Sequence, residues 1–221
     1  GVLDASSGKA IWEQKVDWTK GGASNEKRIY TIEEAKESCN VRSFNLLTGK
    51  SKVIFSDKDI RSIVADDKRV YIIRAPGLLR ALDATTGAKK WECKVSKVDF
   101  SAELYLGSNC LLACSSDISK CIDPSSGKTR WASQFQYAGL YPPVFLPNGA
   151  VLNQSNWQAR DVKTGKVLWT IENAHRGSIG IVRSVLITDA EVGPVGIDIR
   201  TGQKLWSLPG VHSPYYSTGG L

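Results

Sequence analysis

A stretch of ten residues recurs six times along the chain, and this repeat constrains the fold more than any other feature. In its clearest copy, LDATTGAKKW (residues 82–91), an Asp and a Thr-Thr-Gly turn precede a Trp that lies four positions after the Gly. The glycines of successive copies are 37 to 41 residues apart. The six copies are LDASSGKAIW (3–12), FNLLTGKSKV (44–53), LDATTGAKKW (82–91), IDPSSGKTRW (122–131), RDVKTGKVLW (160–169) and IDIRTGQKLW (197–206).

The polar half of the repeat predicts a tight hairpin turn. The Asp ends one strand and can accept hydrogen bonds from the turn backbone, the Ser or Thr hydroxyl can do the same, and the Gly tolerates a positive φ. The repeat glycines are Gly8, Gly49, Gly87, Gly127, Gly165 and Gly202.

The Trp on the outgoing strand predicts a structural docking contact. The docking residues are Trp12, Trp91, Trp131, Trp169 and Trp206, with Val53 in the second copy. Two residues before the repeat Asp or Asn, most copies carry a small side chain, as a closely packed indole requires. These positions hold Val2, Ser43, Ala81, Cys121, Ala159 and Gly196.

The sequence between copies reads as strands. Seven Trp, seven Tyr and many β-branched residues favour strands, and no window has a helical apolar period or the length of a membrane span. The third interval divides into four strands, at 59–65, 69–73, 78–83 and 88–95. A period near 40 residues with four strands per unit predicts an all-β β-propeller of four-stranded antiparallel blades. In the last interval, around GSIGIVRSVLITD, the innermost hairpin is the least defined.

The run ALDATTGAKKW resembles the tryptophan-docking repeat of the pyrroloquinoline-quinone-like (PQQ-like) β-propellers. The resemblance covers residues 1–221, which we interpret as a single propeller domain, whether complete or an excerpt of a longer chain. It implies the fold and leaves the function open, because this architecture is shared by quinoprotein dehydrogenases, outer-membrane assembly lipoproteins, kinase sensor domains and endoplasmic-reticulum luminal domains.

Two blade counts fit the repeat. The first copy begins in the third strand of a blade, so the chain forms either a six-bladed ring with one blade shared between the termini or part of a seven- to eight-bladed ring. An open arc would expose apolar blade faces and should associate. The chain begins at Gly1 and has no Met, which indicates processing or excision from a longer chain.

The five cysteines fit structural roles. Cys121 occupies a small-residue position facing a Trp, Cys93 follows Trp91 by two, and Cys110 and Cys114 bracket an apolar strand. We therefore expect reduced, structural thiols, although a bridge from Cys110 or Cys114 to Cys121 is geometrically possible. The spacing favours neither a zinc site nor a disulfide framework.

No motif for catalysis, a metal or a cofactor stands out. The quinoprotein dehydrogenases that this repeat resembles place adjacent cysteines over the quinone and a calcium site beneath it. The chain has no adjacent cysteines and no match to the calcium ligands. We expect no catalytic residue, with PQQ and calcium as the alternative cofactors.

Basic residues predict a positive rim. In a propeller, the turns after the first and third strands share one face, which places Lys9, Lys50, Lys128 and Lys166 near its outer edge. Lys27 and Lys68 would lie nearer the axis. This rim suits an acidic protein or peptide, although lysines also simply solvate tight turns. No stacking motif favours nucleic acid.

Aromatic residues outside the docking position mark the channel mouth, where propellers bind partners. These candidates for partner binding are Trp18, Tyr137, Tyr141, Tyr215 and Tyr216, joined by His175 in a loop. Trp157 also lies outside the docking position, and we expect it to pack in the core because it begins a strand.

The leading hypothesis is a non-enzymatic propeller that binds or scaffolds a protein partner. The alternatives are a fragment of a quinone-dependent dehydrogenase and the sensor domain of a membrane kinase or receptor. The resemblance favours a periplasmic, extracellular or organelle-luminal site, whereas reduced cysteines favour an intracellular one.

Overall fold

The computed structural model describes residues 1–15, 19–95, 102–115, 118–134, 141–172, 174–190 and 193–210. These residues form 22 β-strands and no helix. None of the described segments is therefore a helix that could cross a membrane. The strands make five four-stranded sheets and one two-stranded sheet, each a blade in which sequential strands pair antiparallel.

The first three blades lie between Val2 and Lys94. Blade 1 holds β1 (Val2–Leu3) and β2 (Ala10–Trp12). Blade 2 holds β3 (Thr19–Ser24), β4 (Arg28–Ala35), β5 (Ser38–Asn45) and β6 (Ser51–Asp57). Blade 3 holds β7 (Ile60–Ala65), β8 (Arg69–Arg74), β9 (Leu78–Asp83) and β10 (Lys89–Lys94).

The remaining three blades lie between Glu103 and Ser207. Blade 4 holds β11 (Glu103–Gly107), β12 (Cys110–Cys114), β13 (Ser119–Ile122) and β14 (Thr129–Ser133). Blade 5 holds β15 (Val144–Phe145), β16 (Ala150–Asn153), β17 (Gln158–Asp161) and β18 (Val167–Thr170). Blade 6 holds β19 (Ala174–Val182), β20 (Val185–Ala190), β21 (Gly193–Asp198) and β22 (Lys204–Ser207).

The predicted all-β propeller architecture is confirmed. The four strands of blade 3 agree with the predicted ones to within one residue at each end. The first repeat copy supplies only β1 and β2, the outer pair of its blade, as its position in the repeat predicts. The less defined hairpin of the last interval is β19–β20, whose register shifts between Ala174 and Ile179.

The core lies between blades. The second strand of blade 3 is buried on both faces, and its side chains alternate between neighbours: Val70 packs in the cluster shared with blade 2, whereas Tyr71 packs in the cluster shared with blade 4. Two further clusters join blade 4 to blade 5 and blade 5 to blade 6. A strand covered on both faces reads as a continuous apolar run, which explains RVYII and CLLAC.

Blade 1 joins the others through aromatic stacking. The rings of Trp12 and Phe44, on the outer part of blade 2, are parallel to within 7° with centroids 6.0 Å apart. Within the described chain the ring is not closed, since no described core cluster joins blade 6 to blade 1.

The expectation of reduced thiols is wrong for Cys110 and Cys121, which form one of the two bridges that the sequence analysis left open. Cys110 and Cys121 form a disulfide with their Cα atoms 5.9 Å apart, on neighbouring strands β12 and β13. Cys39, Cys93 and Cys114 are free. Burial raises the pKa of the Cys114 thiol to about 12, so this thiol stays protonated and packs as an apolar group. Three free thiols, and not five, therefore remain to favour an intracellular site.

Candidate functional site

The repeat turns are built around a carboxylate or amide that binds backbone N–H groups. In the third copy, Asp83 Oδ1 accepts hydrogen bonds from the backbone of Thr85 at 3.0 Å and of Thr86 at 2.9 Å. The Gly87 N–H then bonds the Asp83 carbonyl at 2.9 Å, and Gly87 has φ +78°. Asp4, Asn45, Asp123 and Asp161 make the same pair of backbone contacts.

Hydrogen bonds and ion pairs within the turns occupy the side-chain oxygens of these repeat acids. Hydrogen bonds from the Ser6 and Ser7 side chains lower the pKa of Asp4 to about 2. The Arg200 guanidinium does the same for Asp198, whose pKa also falls to about 2. The Thr86 backbone N–H and the Lys90 ammonium hold the pKa of Asp83 far below its usual range. The turn acids are therefore ionised at neutral pH, and their charge is already bound.

Each docked Trp reaches across to the next blade. The indole Nε1 donates to the carbonyl that follows the next repeat Asp or Asn, and the ring covers the next repeat glycine, which explains why a side chain is excluded there. These bonds are Trp12 to Leu46 at 2.8 Å, Trp91 to Pro124 at 3.0 Å, Trp131 to Val162 at 3.0 Å and Trp169 to Ile199 at 2.9 Å. A Cβ added at Gly49, Gly127, Gly165 or Gly202 would lie 2.6 to 2.8 Å from the ring or Cβ of that Trp.

Blade 2, which has Val53 instead of Trp, is fastened differently. The Tyr30 hydroxyl, on strand β4, donates to the Ala84 carbonyl at 2.9 Å, the equivalent of the carbonyl that an indole binds at the other boundaries. At the next boundary the corresponding Tyr71 hydroxyl lies 3.2 Å from the Pro124 carbonyl beside the Trp91 Nε1, so blade 2 keeps the tyrosine contact and lacks the indole. A Cβ added at Gly87 would lie only 1.9 Å from the Ile54 carbonyl oxygen, so the backbone of blade 2 takes the place of the ring. Sequence reasoning missed Tyr30, although Arg-X-Tyr recurs at the start of the second strand in blades 2 and 3, at 28–30 and 69–71, and both tyrosines contact the next blade in this way.

Hydrogen bonds between turns define one face of the molecule. The backbone N–H of Leu46 bonds the Lys27 carbonyl at 2.9 Å, and that of Ala84 bonds the Lys68 carbonyl at 3.0 Å. The repeat turn and the turn between the first two strands of a blade therefore lie side by side. We call the surface made by these two kinds of turn the repeat face.

In blade 4, a side chain makes the hydrogen bond between the two turns that a backbone N–H makes in blades 2 and 3. Pro124 has no N–H to donate at this position, and the Arg130 guanidinium donates instead to the Asn109 carbonyl at 2.7 Å. The same guanidinium bonds Asp123 at 2.6 Å. The pairing of turns is thus preserved where the backbone cannot supply it.

The predicted lysines all lie exposed on the repeat face. They are Lys9, Lys27, Lys50, Lys68, Lys128 and Lys166. None of them makes an ion pair with a carboxylate of the described residues. The turn acids are instead bound by backbone N–H groups and by three other cations, Lys90, Arg130 and Arg200. The lysine charges are therefore available to a partner.

A shallow pocket of about 360 Å³ lies within this face on blade 3. It is lined by Lys68, Arg69 and Lys90 on the basic side and by Asp67 and Asp83 on the acidic side. Asp83 is already bound to Lys90 at 3.0 Å, and Lys68 and Asp67 are the exposed charges beside the pocket.

The opposite face differs in how its charges are paired. Lys20 binds Glu34 at 2.6 Å and Arg61 binds Asp59 at 2.6 Å. Asp57 binds Arg74 at 3.2 Å and also binds Arg80. Ion pairs thus neutralise Lys20, Arg61, Arg74 and Arg80 at that end of the strands, whereas Lys36 and Lys58 there are exposed and make no ion pair among the described residues.

The structure describes only part of the predicted aromatic set. Tyr141 is partly buried just before β15, and Trp157 is 4% exposed in the core between blades 5 and 6, as expected for a core residue. Trp18, Tyr137, Tyr215 and Tyr216 lie outside the described residues. His175 lies in strand β19 and not in the predicted loop, and its side chain is outside the described part of the chain. Across the described chain, no three His, Cys, Asp or Glu side chains are grouped so that they could hold a metal ion.

Comparison with known families identifies the propeller. The family model described as outer membrane protein assembly factor BamB matches residues 1–206. The chain belongs to this PQQ-like propeller family. The match includes all six repeat copies, which confirms the resemblance found in the sequence.

Solved propeller structures are similar to the chain at low identity. BamB from Moraxella catarrhalis shares 16% identity with a TM-score of 0.55, covering 85% of this chain and 60% of BamB. The computationally designed protein Ika8 shares 15% identity with a TM-score of 0.64, covering 85% and 60%. A europium-containing methanol dehydrogenase shares 13% identity with a TM-score of 0.55, covering 88% and 53%.

These likenesses establish the fold alone. The chain spans 53% to 60% of the length of the three structures that it matches. No curated protein sequence matches the chain significantly.

Proposed function

We propose that the chain is a non-enzymatic, protein-binding propeller that engages an acidic surface of its partner through the repeat face. The observation that carries this proposal is the set of six exposed lysines that share that face without a described carboxylate partner. Binding would use these charges, whereas the repeat acids and tryptophans hold the blades together.

Family membership supports a protein partner. The matching family is described as an assembly factor for outer membrane proteins, and BamB of Moraxella catarrhalis is among the similar structures. A scaffold needs a rigid surface and no reacting groups, and the repeat face supplies turns that are tied to one another by backbone hydrogen bonds.

The electrostatics favour fast, salt-sensitive binding. A formal net charge of +7 attracts an acidic partner at long range, and lysines without an ion pair need not break one to bind. Exposed charge pairs contribute about 0.2 to 1 kcal/mol each, so affinity depends on several lysines acting together. Screening by salt should weaken such binding strongly.

The test titrates the protein with a polyglutamate peptide and repeats the titration with Lys27→Gln/Lys68→Gln and with all six lysines changed to Gln. We expect binding to weaken about 1.4- to 5-fold per lysine removed, and to weaken further as salt is added. The matched control is Lys36→Gln/Lys58→Gln, two exposed lysines of the opposite face, which should leave the affinity unchanged.

Two results would contradict the proposal. Equal losses in the control and the repeat-face variants would show that net charge alone is responsible. A DNA oligonucleotide of the same charge that binds as tightly as polyglutamate would show that the face does not select a protein.

A further inference from the structure

The second strands of blades 2 and 3 begin with the same motif. An acid, a Lys and an Arg precede X-Tyr in both, at EKRIY (26–30) and DKRVY (67–71). In each turn, the preceding Asn25 or Asp66 side chain accepts hydrogen bonds from the backbone N–H groups of the Lys and the Arg. Because the two turns have the same form, blade 2 serves as an internal reference for the pocket on blade 3.

The pocket on blade 3 lies beside small side chains of the adjacent repeat turn. Ala84 and Thr85 line it, whereas blade 2 carries Leu46 and Leu47 at the same repeat positions. The smaller side chains leave a pocket of about 360 Å³ between the two turns of blade 3. A concave site of this kind can surround one side chain of a partner, which a flat surface of exposed lysines cannot do.

The arginine of this pocket lacks a partner that its counterpart has. Arg28 in blade 2 donates to the Ser43 hydroxyl at 3.3 Å, but the corresponding residue in blade 3 is Ala81, which has no hydroxyl. Arg69 lies beside the Tyr71 hydroxyl, and its Nε has no hydrogen-bond partner. It makes no ion pair with a carboxylate in the part of the chain that the structure describes. Its positive charge is therefore not neutralised at the pocket.

The charges around the pocket favour a ligand with a single negative charge. Lys68, Arg69 and Lys90 face two carboxylates, so the net charge of the lining is +1. Lys90 and two backbone N–H groups already bind Asp83, so Lys68 and Arg69 act against Asp67 alone. A carboxylate carries one charge, whereas a phosphate monoester carries about −1.5 to −2 and would be repelled more strongly by Asp67.

We propose that this pocket binds one acidic side chain of the partner, with the carboxylate on Arg69 and Lys68. A guanidinium can donate two parallel hydrogen bonds to a carboxylate, and the Thr85 hydroxyl can donate another. This inference rests on the proposed function, because it names the group that the repeat face recognises. The other lysines attract an acidic surface from a distance, and the pocket fixes where that surface docks.

Titration with glutamate blocked by an acetyl and an amide group, followed by amide NMR spectra, tests the pocket directly. We expect shift changes confined to the residues around it, at 66–69, 83–86 and 90. The blocked glutamine analogue, which is neutral, should bind at least about 5-fold more weakly, and blocked phosphoserine should also bind more weakly than glutamate. Changes spread evenly over the repeat face, no response to glutamate, equal binding of glutamine or tighter binding of phosphoserine would overturn the proposal.

Thr85→Leu fills the pocket without changing its charge, because it introduces the residue that blade 2 has at this position. It should weaken binding of blocked glutamate at least about 5-fold by steric exclusion. The matched control is Leu47→Thr, the reverse exchange on blade 2, which should bind normally. Unfolding midpoints near that of the unmodified chain show that both variants fold. An unchanged affinity in folded Thr85→Leu would overturn the pocket.

The pocket and the charged face can fail separately. Polyglutamate binding that depends on the six lysines but is unchanged in Thr85→Leu would reject the pocket and keep the charged face. A localised response to blocked glutamate in a chain that does not bind polyglutamate would keep the pocket and reject the wider face as a binding surface.

Discussion

Two neighbouring boundaries of the propeller perform the same task with different residues. Between blades 3 and 4, the Trp91 ring covers Gly127 and its Nε1 bonds the Pro124 carbonyl. Between blades 2 and 3, the corresponding residue is Val53, which is 42% exposed, and the Tyr30 hydroxyl bonds the equivalent carbonyl, that of Ala84.

The difference shows which part of the contact the fold requires. Both boundaries bring a Tyr hydroxyl to the carbonyl after the repeat Asp, Tyr30 at one and Tyr71 at the other, and place a group against the repeat glycine, but only one adds the indole. A buried backbone carbonyl without a donor is unfavourable by about 1–3 kcal/mol, whereas the identity of the donor is free to vary. The glycine and the carbonyl are thus the fixed elements of a boundary.

The largest effect should come from Trp91→Ala. Loss of the ring and of its hydrogen bond to Pro124 should lower the free energy of unfolding by about 3–5 kcal/mol. Trp206→Ala is the control of the same type and repeat position, and since Trp206 is 37% exposed its cost should be less than half of that. Urea unfolding of both variants measures the difference. Equal costs would show that docking across the boundary does not stabilise the blade.

Gly87→Ala should come next and tests the boundary that lacks an indole. The new Cβ would lie 1.9 Å from the Ile54 carbonyl oxygen, so blade 2 must move, and we expect a loss of about 2–4 kcal/mol from overpacking and the positive φ. Gly8→Ala has a similar φ of +67° with open space around it and should cost only about 1 kcal/mol. Thermal unfolding of the pair separates the clash from the φ effect, and similar midpoints would contradict close approach of the backbone.

Tyr30→Phe should have a smaller effect. It removes the hydrogen bond to the Ala84 carbonyl and the weaker one accepted from Asn25 Nδ2 at 3.3 Å, and nothing of the ring, so the expected loss is about 1 kcal/mol. Val53→Ala should change stability by less than about 0.5 kcal/mol, since Val53 is 42% exposed. If Val53→Ala lowered the free energy of unfolding more than Tyr30→Phe did in the same urea titration, the outer strand would also hold blade 2 against blade 3.

Acid should produce the smallest effect, and it should act on the turns that all boundaries share. The pKa values of Asp4 and Asp198 are lowered to about 2 in the folded chain, so their stabilisation is complete above the ordinary value near 3.8 and is lost as the pH falls toward 2. Asp198→Asn should flatten the fall in unfolding midpoint between pH 4 and pH 2. An unchanged pH profile in this variant would contradict the assignment.

The fold was largely predictable because residue types at fixed spacing encode both the turn and the docking Trp of the repeat. A turn that needs a positive φ and a strand that carries an indole recur at one period, and the strands of blade 3 follow from alternation and turn residues. What the motif did not reveal was the partner of each Trp. The cross-strand neighbour of Trp91 is Ala81, as the small-residue position suggests, but the turn that the ring covers belongs to the next blade.

The candidate site was predictable in position and not in pairing. Turn positions alone place Lys27 and Lys68 on one face, whereas only the structure shows that Asp83 is bound by Lys90 and by backbone N–H groups. Two substitutions were invisible for the same reason. Tyr30 binds a carbonyl that Tyr71 and Trp91 share at the next boundary, and Arg130 replaces a proline's missing N–H; both contacts depend on distances between residues far apart in the chain.

The central claim is that the repeat holds the blades together while the unpaired lysines bind the partner. The most direct test measures unfolding and polyglutamate binding side by side for Tyr30→Phe and for Lys27→Gln/Lys68→Gln. The account predicts that Tyr30→Phe lowers stability and leaves binding unchanged, and that the lysine variant weakens binding about 2- to 30-fold at an unchanged unfolding midpoint. A lysine variant that binds normally, or a Tyr30 variant that loses binding while still folded, would contradict it.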